Sequence, residues 1–101
     1  KEEPFGPLVP ILTFKSFDEV IERANDNDLG LCSYLYTNSM DKAHIGSEKL
    51  ESGCVAVNTG VVAIAEAPFG GIKQTGYGRE GGSGAIKDYL NVKYTHMGLK
   101  I

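Results

Sequence analysis

The residues of this chain with the greatest capacity for chemistry are Cys32, Cys54, His44, His96 and a glycine run that reads Gly76-x-Gly78-x-x-Gly81. The run satisfies, letter for letter, the pattern that wraps a dinucleotide pyrophosphate. That pattern works only when a strand precedes it and a helix opens from it, so that backbone N–H groups at the helix N-terminus meet the phosphate. Residues 68–74 do not read as a strand, and Arg79-Glu80 would put a carboxylate close to the incoming anion. A structural glycine loop is the better reading, and a small stand-alone nucleotide binder is its rival. The two cysteines lie in apolar runs without C-x-x-C spacing, so they suit small core residues better than a nucleophile, a disulfide framework or a zinc site. Neither histidine has a partner at metal-ligand spacing.

The elements that must position this loop follow from periodicity. Residues 8–14 form a nearly continuous apolar run, which predicts a strand buried on both faces, with Pro10 favouring an edge or the strand start. Ser16-Phe17-Asp18-Glu19 supplies a capping box, and Phe17, Val20, Ile21 and Ala24 make one helical stripe that ends at Asn25-Asp26-Asn27-Asp28. Residues 31–36 predict a second strand. Thr37-Asn38-Ser39 then caps a helix lined on one side by Met40, Ala43, Ser47 and Leu50, with Gly53 as its C′ residue. Residues 54–58 predict a third strand. The β-α-β-α-β order implies an α/β fold with a mostly parallel sheet.

Eight of the thirteen glycines fall between Gly60 and Gly84, interleaved with Phe69, Ile72, Lys73, Tyr77, Arg79 and Glu80, which marks a shaped loop rather than a linker. Beyond it, residues 85–90 suit a short helix. Residues 91–97 alternate as a strand, and a strand placed last after a long excursion is expected to pair outside its own sheet.

Composition narrows the function classes. With 101 residues, 42% hydrophobic and 23% charged, disorder is disfavoured and one packed unit with a modest core is expected. A net charge of −3 without any basic run argues against nucleic acid as a partner. The longest apolar runs fall well short of a membrane span, which takes roughly 20 residues. The unpaired cysteines fit a reducing, cytoplasmic setting. The chain opens at Lys1 without an initiator Met, and the turn Glu3-Pro4-Phe5-Gly6-Pro7 starts abruptly, so a preceding segment is expected.

Read whole, Pro68-Phe69-Gly70-Gly71-Ile72-Lys73-Gln74-Thr75-Gly76-Tyr77-Gly78-Arg79-Glu80 closely resembles the C-terminal signature of the NAD(P)-dependent aldehyde dehydrogenase superfamily, PFGG-x-K-x-S-G-x-G-R-E. The opening Glu3-x-Phe5-Gly6-Pro7 resembles the family's E-x-F-G-P turn. Ala24-Asn25 through Gly30-Leu31 is similar to its helix-to-strand junction, and Ser52-Gly53 through Asn58 to its A-G-x-V-x-V-N strand. The tail, with Tyr89-Leu90-x-Val92-Lys93-Tyr94 and Gly98-Leu99, resembles the succinate-semialdehyde dehydrogenase branch.

The resemblance implies roles residue by residue. Glu3 would hydrogen-bond the nicotinamide ribose hydroxyls, since a carboxylate can accept from two vicinal hydroxyls at once, and Phe5 would stand beside the nicotinamide. Phe69 would wall the aldehyde tunnel. Residues 60–67, with Val62 and Ala63, would shape substrate preference. Glu80 would serve a proton path behind the nucleophile or an ion pair within the loop, while Lys73 and Arg79 would anchor the loop. Where the semialdehyde branch commonly has a Ser that holds the substrate carboxylate, this chain has Ala63, flanked by Val62 and Ile64. A less polar aldehyde is therefore open alongside a semialdehyde acid.

The resemblance further implies that the chain is roughly the C-terminal fifth of a subunit. Residues 1–90 would close the catalytic α/β domain, with the glycine-rich active-site loop at 60–84, and residues 91–101 would form an oligomerisation strand serving a homo-oligomer, a dimer or tetramer. In the family a cysteine thiolate attacks a small-molecule aldehyde, hydride passes to NAD or NADP, and a glutamate-activated water hydrolyses the thioester. Nucleophile, general base and cofactor domain would all lie upstream, leaving no catalytic nucleophile and no metal in this segment. The rival from another class is a non-catalytic binding or assembly module that reuses the fold, its last strand adding to a partner's sheet edge.

Overall fold

A computed structural model describes residues 2–100. The first helix, α1 (Phe17–Asn25), begins where the Ser16 hydroxyl accepts the Glu19 N–H at 3.2 Å. The Glu19 carboxylate reaches back to the Lys15 N–H at 2.8 Å, one residue further than a standard capping box, and Arg23 pairs with it from the next turn at 3.2 Å. These donors, the Lys15 N–H foremost and Arg23 after it, hold the Glu19 carboxyl below its ordinary range. Along the expected stripe Ile21 is buried and Phe17 and Val20 are half-buried, whereas Ala24 is exposed.

Two short strands follow α1, β1 (Leu29–Gly30) and β2 (Cys32–Leu35). Ser39 then caps α2 (Met40–Lys49), accepting from the Lys42 N–H at 3.3 Å. The helix returns the chain to β3 (Cys54–Val57), which pairs in parallel with β2 in the register Cys32↔Cys54 to Leu35↔Val57. Asn58 continues this register by side chain. At φ 55° it turns its amide onto Thr37, accepting the Thr37 N–H at 2.9 Å and donating to the Thr37 carbonyl at 3.0 Å. Asn is one of the few residues that visit this left-handed region readily.

The glycine loop contributes β4 (Ile72–Lys73), antiparallel to β1, and the chain then passes through a 3-10 helix (Ala85–Tyr89). The α/β expectation holds at the level of mixed helix and sheet, but the sheet is two separate pairs, one parallel and one antiparallel.

Several local expectations are corrected. Residues 8–14 form no strand: among the described residues no edge lies beside them, and Leu8, Val9, Ile11 and Leu12 stand 69–84% exposed. A β ladder needs a neighbour to satisfy its N–H and C=O groups, and this segment lacks one within the chain. Among the described residues, 91–97 join no ladder, in line with a segment expected to pair outside its own sheet. The inward side of α2 is Ala43, Gly46 and Leu50, while Met40 is 82% exposed. A Cβ on Gly46 would meet Leu35 Cδ2 at 2.5 Å and Phe17 Cζ at 3.3 Å, so this glycine is where α2 settles on β2 and α1. Gly53 is not the C′ residue of α2, which ends at Leu50; it is a point of close backbone approach.

The expectation of one modest core is overturned. Ile21 and Ala56 are the buried hydrophobic residues among those described. The accessible surface is 8780 Å², against about 5,600 Å² for a compact chain of this mass. The radius of gyration is 19.3 Å, where about 13 Å is usual. The described residues extend 75 Å along the longest axis, and both terminal segments are exposed throughout. No described helix is long and apolar enough to cross a membrane. The outer bounds of the expected units, Lys1 and Ile101, lie outside the described residues.

Two tests follow from this packing. Gly53→Ala would drive a Cβ into the Gly70 carbonyl oxygen and is expected to cost about 1–3 kcal/mol in the unfolding of the intact protein. Gly46→Ala must displace the flexible Leu35 end and crowds the Phe17 ring, but it gains about 1 kcal/mol of helix propensity, so it should be nearly neutral. Because the Glu19 carboxyl is lowered by folding, its contribution to the α1 cap is complete above the ordinary carboxylate range. It is lost as pH falls through the lowered folded value. An NMR titration in which the Glu19 carboxyl follows a free glutamate would contradict this.

Candidate functional site

The site is built on three backbones that meet without intervening side chains. The Gly53 N–H donates to the Gly30 carbonyl at 3.0 Å, and a side chain at Gly53 would collide with the Gly70 carbonyl. A Cβ at Gly30 would sit 2.7 Å from the Glu51 carbonyl oxygen and 2.9 Å from Ile72 Cγ1. Only glycine lets β1, the entry to β3 and the glycine loop approach this closely.

Polar groups then lock the loop onto that base. The Gly30 N–H donates to Thr75 Oγ1 at 2.8 Å, and the Gln74 N–H to the Asp28 carbonyl at 2.9 Å. Lys73, at φ 56°, aims its ammonium at the carbonyls of Asn25 and Asn27, each 2.9 Å away, and pairs with the Glu51 carboxylate. Asn25 completes the junction: its side chain donates to the Lys49 carbonyl at 2.7 Å and accepts the Glu51 N–H at 2.9 Å. Arg79 closes the loop upon itself, donating from Nη1 to the carbonyls of Gly71 at 2.9 Å and Gly78 at 2.7 Å. The anchoring expected of Lys73 and Arg79 thus has specific partners, and all of them are backbone oxygens except Glu51.

Within the locked loop Phe69 and Glu80 face each other across an isolated antiparallel bridge. The Phe69 N–H donates to the Glu80 carbonyl at 2.7 Å, and the Glu80 N–H to the Phe69 carbonyl at 2.8 Å. Both border an open hollow of about 400 Å³ shared with Leu31, Tyr77 and Tyr89. Among the described residues no ion pair reaches Glu80. Val62 is half-buried and borders a second hollow of about 230 Å³ against Cys54, Val55 and Pro68. Ala63 is exposed and stands outside it.

Glu3 and Phe5 are not brought to Phe69 and Glu80. Glu3 borders a separate groove along β1 and the start of β2, with Leu31 shared between that groove and the loop hollow. Phe5 is 94% exposed. A free carboxylate and an open aromatic face suit the ribose and nicotinamide of NAD or NADP, so the donor set fits that end of the cofactor.

The glycine run does not fit the other end. Gly76, Gly78, Gly81 and Gly82 all have positive φ, and no α-helix opens from them. The Arg79 N–H already donates to Asp88 Oδ2 at 3.0 Å, and the Glu80 N–H to Phe69. Amides that would cradle a phosphate are engaged within the loop, which removes the dinucleotide reading of this motif. Thr75 and Asp88 hold the loop, and Asn58 joins the ends of β2 and β3; none of the three was singled out from sequence. Their partners are 9 to 45 residues away, beyond any local pattern.

Cys32 and Cys54 are free, half-buried thiols at matched positions of β2 and β3. Burial first, and then the neighbouring Cys54, push the Cys32 thiol up, against formation of the reactive thiolate. Among the described residues no cluster of three His, Cys, Asp or Glu could hold a metal.

The sequence profile described as the aldehyde dehydrogenase family matches residues 1–95. This chain belongs to that family. It is 48% identical, over 98% of its length, to the NADP(+) succinate-semialdehyde dehydrogenase of Escherichia coli strain K12, of which it covers 20%. It is 50% identical, over 96% of its length, to the 3-sulfolactaldehyde dehydrogenase of Pseudomonas putida, again covering 20%. The aldehyde dehydrogenase of Bacillus cereus, solved as a complex with NAD+, superposes with a TM-score of 0.87 at 47% identity, over 92% of this chain and 19% of the other. The chain therefore spans about a fifth of the length of the family members it matches.

In an intact family member carrying this segment, Cys32 should react with iodoacetamide at pH 8 more slowly than glutathione does. Labelling as fast as the free thiol would contradict the burial argument.

Proposed function

We propose that this chain is the C-terminal fifth of an NAD(P)+-dependent aldehyde dehydrogenase subunit that oxidises an aldehyde to a carboxylate. The observation that carries the reading is the 48% identity over nearly the whole chain to a protein five times its length. The unusually large apolar surface supports it, since residues 8–14 and 90–99 present side chains that a larger fold would cover. In this reading the thiolate that forms the thioester, the base that activates water and the cofactor domain belong to the other four-fifths of the subunit. NAD or NADP, when bound, accepts the hydride. Glu3 would orient the ribose, Phe5 would limit movement of the nicotinamide, and Phe69 with Val62 and Ala63 would bound the aldehyde path. Glu80, exposed and without an ion-pair partner in the loop, is available to relay a proton.

The substrate loop bears on aldehyde choice. Both relatives are named for aldehydes with an acidic end. From Gly60 to Ala67 this chain offers no hydroxyl, amide or cation, and Glu66 adds a negative charge. A carboxylate tail would lack a side-chain donor here and meet repulsion, so we place an uncharged aldehyde ahead of a semialdehyde acid. The alternating, exposed residues Val92, Tyr94 and His96 suit a strand added to the sheet of a second subunit, giving a dimer or tetramer. The two free thiols suit a cytoplasmic enzyme.

The test is turnover by the intact subunit with NAD+ and with NADP+. Butanal should be oxidised with a higher kcat/KM than succinate semialdehyde, and Ala63→Ser should raise the latter about tenfold by adding one donor. Absence of NAD(P)H formation with any aldehyde would favour the non-catalytic assembly module instead.

A further inference from the structure

The 3-10 helix (Ala85–Tyr89) follows the glycine loop in sequence yet returns to it in space. Its Asp88 accepts the Arg79 N–H on Oδ2 at 3.0 Å, and a Cβ built at Gly78 would fall 2.8 Å from the same oxygen. The carboxylate therefore occupies the space beside Gly78 that any side chain there would fill, with Gly78 at φ 80°. Arg79 is the residue through which the loop is closed, by its guanidinium to Gly71 and Gly78, and Glu80 is the next residue, bridged to Phe69. Asp88 and Tyr89 also border the hollow of about 400 Å³ that Phe69 and Glu80 line.

We propose that Asp88 is a positioning residue, whose carboxylate clamps the Arg79 amide and so sets where Phe69 and Glu80 stand on the wall of that hollow. It acts through Arg79 and touches neither substrate nor cofactor. The interaction asks for an acceptor oxygen at a fixed distance, and not for a negative charge as such: the partner is a backbone N–H, and the Arg79 guanidinium is directed to carbonyls on the other side. The arrangement also ties the loop to the segment that leads into residues 91–97, so displacement of that tail would be felt at Phe69 and Glu80.

The proposal rests on the reading of the loop as part of an aldehyde-oxidising site, and the experiment separates the two. In the intact enzyme, amide exchange over residues 76–80 is followed by mass spectrometry alongside kcat and KM. Asp88→Ala should speed exchange of this stretch about tenfold, the loss expected for one hydrogen bond. It should lower kcat about tenfold through misplacement of the loop. Asp88→Asn keeps an acceptor oxygen at the same reach and should restore both. Asp88→Glu keeps the charge but carries the acceptor one methylene too far and should behave like the alanine variant, which preserves the test if Asp88→Ala does not fold. Exchange at wild-type rates in the Ala or Glu variant, or an Asn variant as impaired as these, overturns the proposal. An intact wild-type protein that oxidises no aldehyde overturns the functional reading alone, while the exchange measurements still decide whether Asp88 clamps the loop.

Discussion

The ammonium of Lys73 is the interaction on which the rest of this structure depends. A non-glycine residue in the left-handed region costs roughly 1–2 kcal/mol, and Lys73 sits there at φ 56°. In return the chain reverses direction so that β4 lies against β1 while the side chain reaches the carbonyls at the end of α1 and the carboxylate of Glu51 beyond α2. Carbonyls at a helix end carry partial negative charge and have no partner in the helix, so a cation is the natural group to satisfy them. One side chain thus joins the ends of both helices to the glycine loop.

The same junction explains why so many glycines are needed and why they are not interchangeable. Gly30, Gly53 and Gly70 are required by contact, because three backbones pass within a side chain's width of each other. Gly76, Gly78, Gly81 and Gly82 are required by conformation, because the loop turns through positive φ at each. These two demands compress the loop into a rigid wall on an otherwise thinly packed molecule. Away from it, burial is slight: the parallel pair β2–β3 covers Ala56, α1 covers Ile21, and most large apolar side chains face outward. A wall of this kind is one side of a site.

The helix starts were legible in the sequence because capping is local. Ser16 and Ser39 bond to N–H groups three residues away, within reach of a pattern read along the chain. The strands of the parallel pair were legible for a similar reason, from short β-branched runs between turn signals. The segment at 8–14 was legible as apolar and extended but not as unpaired, because pairing depends on what lies beside it. The inward face of α2 was misread for the opposite cause: Met40 and Ser47 fit the period, but Gly46, which has no side chain to count as apolar, is where the helix touches β2.

The amino-acid sequence by itself determined the family and the glycine loop as a shaped element, since each is written in residue types at short spacing. Tertiary structure alone decided that the Gly76–Gly81 run is no phosphate cradle. Its Arg79 and Glu80 amides are taken by Asp88 and Phe69, partners that a letter pattern cannot show. It also decided that Glu3 borders a groove apart from Phe69 and Glu80, with Leu31 shared between the two, and that Phe5 stands exposed. The physical reason is common to both: a hydrogen-bonding group has one place to donate, and only the folded chain shows which acceptor has taken it.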